Sequence, residues 1–251
     1  MLRLNGLNLP PFLPLKADAS KRVSEIENLL LRRDDILICS LPKSGNQWLN
    51  EIVPRLLHST LDSSHRMTNT FLEFMPDLLK LQYMASPRVM TSHLPYRCLP
   101  KENPGKIIHI IRNPKDVVVS AFYHFTKDPV IKDYICHEWC GFLDDFLCGD
   151  YVYGSWFDRE REWEQAALAN PGNILIVYYE ELKTNGMETL KRISNFIGVS
   201  PDMNFLQAVY DICTIEEVKK RRNDPEEPWT IGNHTLLSPR MRSSFTFLTK
   251  G

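Results

Sequence analysis

Four short, nearly unbroken apolar runs constrain this chain more than any other feature: ILICS (36–40), RVMTS (88–92), KIIHII (106–111) and NILIVYY (173–179). Helical patterns separate them. Runs of this kind, without polar alternation, mark strands buried on both faces, as in a parallel sheet lying between two layers of helices. The expected fold class is α/β, with a central, mostly parallel sheet flanked by helices. At 251 residues, 43% of them hydrophobic, the chain has material for one sizeable core and needs no second domain.

Charge narrows the partners. Net charge is −1, with a pI near 6.7, so no sequence-wide positive field draws in nucleic acid or a membrane surface. An anion has to be bound by a local site. The opening MLRLNGLNLPPFLPL is apolar but interrupted by Asn5, Asn8, Pro10, Pro11 and Pro14, so it lacks the core of a secretion signal. No run reaches the roughly 18 apolar residues of a membrane span. The expectation is a soluble, cytoplasmic protein. Cys39, Cys98, Cys136, Cys140, Cys148 and Cys213 are scattered, which suits reduced thiols. CHEWC (136–140) has no second ligand pair at matching spacing, so packing is favoured over a metal. Asn233-His234-Thr235 fits a glycosylation triplet, expected to be silent without a secretory route.

In open α/β sheets ligands sit beyond the carboxyl ends of the strands. Those positions hold Lys43, His93, Arg112 and Tyr179. Each alone is compatible with a structural role; together they suit an anionic nucleotide and an acid-base step. After the first run, PKSGNQW supplies a glycine for close backbone approach and a helix N-terminus whose free N–H groups attract phosphate. This is a P-loop-like strand-loop-helix, although its lysine precedes the glycine, and an ordinary turn would use Pro and Gly as well. Trp48, Leu49, Ile52, Val53 and Leu56 form an apolar helical face, with Pro54 expected to kink or shorten the helix. After the third run, Asn113 reads as an N-cap, Pro114 as the first helical residue and Asp116 as a first-turn acid. That reading leaves unexplained Arg112, whose fork suits phosphate, and Ser120. His93 is the side chain best suited to take a proton near neutral pH. His124 is read as a packed histidine.

With these residues in view, the chain resembles the cytosolic sulfotransferases, which transfer a sulfuryl group from 3′-phosphoadenosine 5′-phosphosulfate (PAPS) to a hydroxyl or amine. LPKSGNQW is similar to the family's PKSGTTW loop, and RNPKDVVVSAFYHF to its 3′-phosphate segment. RRDDILICS, FLEF (71–74), SHLP, YGSWFD (153–158), YYEELK (178–183) and FTFLTKG (245–251) follow the family's order. The resemblance implies a sulfotransferase domain over residues 1–251. Catalytic residues would be His93 as the base that deprotonates the acceptor, Lys43 as stabiliser of the bridging oxygen, and Ser120 restraining Lys43 until acceptor arrives. The co-substrate would be held by Lys43, Ser44, Gly45, Asn46, Gln47, Trp48, Arg112, Ser120, Tyr179, Phe247, Lys250 and Gly251. Trp48 and Tyr179 would contact adenine, and Arg112 and Ser120 the 3′ phosphate. No metal is required. The acceptor would be a small apolar molecule of the phenol, alcohol, sterol or amine class, in a pocket whose candidate walls Phe71, Phe74, Phe122, Phe125 and Trp139 are individually better explained by core packing.

The chain also departs from the pattern. Asn46 and Gln47 replace two threonines, Thr91 stands where a lysine is frequent, and Cys213 and Ile215 replace a threonine and an aromatic that touch adenine. Thr249 takes an arginine's place in the closing loop, and the chain stops at Gly251. The rest of that loop, the helix after it and the tail with the family-type dimer contact are therefore expected to be absent. The alternative reading is a truncated or degenerate sulfotransferase that binds nucleotide weakly, or an interaction scaffold. A P-loop kinase is disfavoured, because no magnesium ligand is evident after the loop.

Overall fold

The computed structural model describes residues 1–62, 70–102 and 104–222, with the backbone of 230–231 and 234–235. Phe247, Lys250, Gly251 and Asn233 lie outside the described residues. The chain opens with a hairpin of β1 (Leu2–Leu4) and β2 (Leu7–Leu9), then α1 (Leu13–Ala17) and α2 (Ala19–Glu27). Asn5 and Gly6 turn the hairpin with φ of 47° and 78°. Left-handed backbone at both central residues is what an Asn-Gly hairpin turn requires.

The central sheet contains β3 (Ile36–Ser40), β4 (Thr70–Phe71), β5 (Val89–Ser92), β6 (Lys106–Ile111) and β7 (Ile174–Tyr178). Its order is β4-β5-β3-β6-β7, and every pairing is parallel. Each of the four apolar runs forms a strand, the second and fourth trimmed by a residue or two. β4 was not expected, because two residues carry no periodicity.

Helices cover both faces. One face carries α3 (Asn46–His58), α8 (Gly186–Ile197), α9 (Met203–Ile212) and α10 (Ile215–Arg222), and the other α4 (Pro114–Phe125), α5 (Trp139–Cys148), α6 (Trp156–Ala169), α2 and the hairpin. The short α7 (Tyr179–Thr184) follows β7 directly. Along β3 the layers alternate: Leu37 and Cys39 enter the second core, Ile36 and Ile38 the first. The apolar face expected for α3 is buried in full, but the helix continues through Pro54 to His58 instead of stopping short.

The register sets the strand ends side by side, with Ser40 opposite Ile110 and Ile111 opposite Tyr178. At the other edge the sheet is stapled. Arg88 and Asp35, both buried, form an ion pair through two bonds, Nε–Oδ1 at 2.8 Å and Nη2–Oδ2. The same guanidinium donates to the carbonyls of Leu81 (2.8 Å) and Leu30 (3.3 Å). Among the described residues no helix is long and apolar enough to cross a membrane.

Candidate active site

The loop from β3 to α3 has unusual backbone. Lys43 has φ of 74° and Gly45 of 109°. Gly45 is required on two grounds: its conformation favours glycine, and a Cβ there would lie 2.7 Å from Tyr179 Cδ2. The turn folds back through a bond from the Ser44 N–H to the Leu41 carbonyl (3.2 Å), and the Trp48 N–H donates to Gly45 (2.8 Å). The N–H groups of Gly45, Asn46 and Gln47 have no acceptor among the described residues. They form an open helix terminus, where amide hydrogens and the helix dipole favour an anion.

Three more donors in this region are buried without a partner: Ser44 Oγ, Ser120 Oγ and Arg112 Nε. Arg112 stands at the end of β6, where it donates from Nη1 to the Lys43 carbonyl (3.1 Å) and lies 4.3 Å from the centroid of the Tyr179 ring. Tyr179, the first residue of α7, meets Trp48 edge-to-face at 5.3 Å. Trp48 is itself held by a 2.5 Å bond from Nε1 to the Cys213 carbonyl. Direct contacts thus join Lys43, Gly45, Trp48, Arg112 and Tyr179. Ser120 lies in α4, whose start is built as expected: Asn113 Oδ1 accepts from the Lys115 N–H (3.0 Å) and Pro114 opens the helix. Gln47 is exposed, and Asn46 Oδ1 is buried without a donor.

His93 follows β5. Its Nδ1 is 2.8 Å from the Ser40 carbonyl, an oxygen that can only accept, so Nδ1 carries the hydrogen and Nε2 keeps its lone pair. The ring lies between Phe71 (5.1 Å) and Tyr153 (5.6 Å). Burial lowers His93 to about 3 against the support of the Ser40 carbonyl, and the positive charges of Arg159 and Lys43 lower it further. The imidazole is therefore neutral at physiological pH. Burial and the Lys43 charge also lower His124 to about 3. His124, expected only to pack, is half-buried one turn beyond Ser120, in reach of the Lys43 charge.

Of the candidate pocket walls, Phe71 and Phe74 both pack on Phe12 (5.8 and 5.3 Å), and Phe71 also touches His93. Phe122 packs on Trp139 and Phe142, while Phe125 is core. Thr91 is buried on β5 and donates to Asn50 Oδ1 (3.2 Å). Cys136 lies against Gly141 and Cys140 is exposed, and no disulfide joins the six cysteines. Among the described residues no group of three His, Cys, Asp or Glu side chains is placed to hold a metal ion.

Two residues that sequence reasoning missed hold His93 from behind, Glu73 and Arg159. A carboxylate inside the apolar FLEF was a readable signal, because buried Glu is rare unless bonded. Arg159, within WFDREREW, was indistinguishable from a solvated helix charge.

The fold is α/β with a parallel sheet, and sequence comparison gives the family. The sulfotransferase domain model matches residues 33–243, and the chain belongs to that family. Rat sulfotransferase 2A2 is 31% identical over 250 residues, 92% of this chain and 81% of the relative. Mouse sulfotransferase 1B1 is 33% identical over 240 residues, 90% and 77% respectively. The crystal structure of mouse sulfotransferase SULT7A1 complexed with PAP superposes with a TM-score of 0.74 at 31% identity, covering 91% of this chain and 81% of that one.

Proposed function

We propose that this protein transfers a sulfuryl group from PAPS to a hydroxyl or amine of a small apolar acceptor, with His93 as base. The observation that carries the reading is the set of buried donors without acceptors, Ser44 Oγ, Ser120 Oγ and Arg112 Nε, around an open helix N-terminus. Buried donors are paired as a rule, and three that are not, in one region, await an acceptor-rich ligand. A nucleotide with separate 3′ and 5′ phosphate groups fits this chemistry, and the related mouse protein was solved with PAP.

In this reading the N–H groups of Gly45, Asn46 and Gln47, with Ser44, hold the 5′ side. Arg112 and Ser120 hold the 3′ phosphate, while Trp48 and Tyr179 border the adenine. Lys43 stabilises the negative charge that develops on the leaving oxygen as the S–O bond breaks. Nε2 of His93 removes the acceptor proton as the acceptor oxygen or nitrogen attacks sulfur. The anionic co-substrate raises the histidine's proton affinity, offsetting the depression by Lys43 and Arg159. Phe71 and Tyr153, against the imidazole, form the apolar approach for the acceptor.

A second reading, a weak nucleotide binder without turnover, is favoured by Thr91. It gives the site no positive charge where the family frequently has a lysine, and its hydroxyl is directed to Asn50. Calorimetry with PAP tests what the two readings share: no binding at millimolar concentration ends both. Turnover on a phenol and alcohol panel with PAPS separates them. The enzyme reading expects turnover that His93→Ala abolishes.

A further inference from the structure

We propose that Glu73 and Arg159 clamp the peptide of His93 from its two ends and are positioning residues for its imidazole. The proposal rests on the reading of His93 as the base. Glu73 is fully buried, and its Oε1 accepts the His93 N–H at 2.6 Å and the Ser92 hydroxyl at 3.2 Å. Arg159, 2% exposed, donates from Nη1 to the His93 carbonyl at 2.6 Å. Its Nη2 donates to the carbonyls of Ser40 (3.1 Å) and Leu94 (3.0 Å). The Ser40 carbonyl is the one that takes the Nδ1 hydrogen of His93. One guanidinium therefore fixes both the backbone that carries the imidazole and the oxygen that orients it.

Packing alone does not account for this arrangement. Burying a carboxylate and a guanidinium is expensive, and apolar residues of similar volume commonly do as well or better in a core. The pair forms no direct salt bridge; Glu73 Oε2 and Arg159 Nε have no partner, so the bonds they make converge on one strand end. Bonds of 2.6 Å at both ends of one peptide hold its geometry closely. With N–H and C=O of one residue both anchored, the Cα–Cβ direction is set, and the ring can reach Ser40 only through Nδ1. The tautomer that leaves Nε2 as acceptor follows. Arg159 comes from α6 and Glu73 from the turn after the edge strand β4, so two separate elements contribute to the fixing.

The test reads the tautomer of His93 directly, by nitrogen-15 NMR of the imidazole with the signal assigned by its loss in His93→Gln. The wild type is expected to show Nδ1–H alone. Glu73→Gln, whose amide oxygen still accepts from the His93 N–H, should keep that state. Glu73→Ala should show a tautomer mixture and a kcat lower by about 10- to 100-fold, by analogy with the loss of a group that orients a metal-ligating histidine, with the KM for PAPS unchanged. Arg159→Lys, which keeps the charge but not the fork, carries the same expectation and serves if Glu73→Ala fails to fold. An unaltered Nδ1–H state in both Glu73→Ala and Arg159→Lys overturns the clamp. A wild type that shows the expected tautomer but no turnover overturns the enzyme reading and leaves the clamp standing.

Discussion

Two arginines at opposite edges of one sheet do opposite things. Arg88, at the amino edge, has a buried carboxylate and two carbonyls as partners. Arg112, at the carboxyl edge, bonds one carbonyl, covers a tyrosine ring and leaves Nε unpaired in a buried position. The same side chain is a closed structural joint in one place and, in the proposed function, part of an open receptor in the other. The difference lies in the partners: Asp35 closes one site, whereas at the second Arg112 Nε has no acceptor.

The sharpest way to break that comparison is to remove each arginine. Arg88→Ala strands the Asp35 carboxylate and should lower unfolding free energy by about 3–5 kcal/mol, measured by urea titration. Arg112→Ala should leave stability nearly unchanged yet weaken PAP binding by roughly 1.5–3 kcal/mol, the range for a hydrogen bond to a charged group, read by calorimetry. If Arg112→Ala destabilises as much as Arg88→Ala, the receptor edge is only a second joint. Gly45→Ala comes next. A Cβ at 2.7 Å from Tyr179 on a backbone with φ of 109° should cost about 1–3 kcal/mol and weaken nucleotide binding by deforming the loop.

Acid should act mainly on the receptor edge. His93 and His124 fall to about 3 in the fold from an ordinary 6.5, so the unfolded chain takes up protons that the fold refuses. Stability is full above 6.5 and declines as pH falls from there toward 3. Glu73 runs the other way: burial raises it to about 7 from 4.5, so its contribution is present below 4.5 and is lost as pH rises through 7. Urea titrations across pH should show both limbs, the alkaline one reduced in Glu73→Gln and the acid one in His124→Gln. The smallest effect is expected from Asn113→Ala, about 1 kcal/mol for a lost helix cap, with binding by Arg112 retained.

Much of this was legible in the chain. ILICS and KIIHII became strands with their bounds intact, and the strand-end rule gathered Lys43, Arg112 and Tyr179 into one cluster and set His93 beside it. The Asn5-Gly6 turn between LRL and LNL was also readable, but attention to unbroken runs passes over alternating three-residue strands. Glu73 and Arg159 were hidden for a different reason. Arg159 meets His93 across 66 positions, and nothing local to WFDREREW separates a buried arginine from a solvated one. Register and helix packing create that contact; residue type alone does not specify it. Pro54, expected to kink or shorten α3, does not end it, and the helix runs on to His58.

The order β4-β5-β3-β6-β7 has a consequence for ligand-linked folding. Gly45, His93, Arg112 and Tyr179 lie far apart along the chain and meet only when β3, β5, β6 and β7 are in register. No fragment of the sheet presents the whole receptor, so a ligand that needs all of it binds the folded state and nothing less. Saturation at a hundred times the dissociation constant would then add about 2.7 kcal/mol to unfolding by mass action. The melting temperature, read against ligand concentration, would report the affinity of the assembled site.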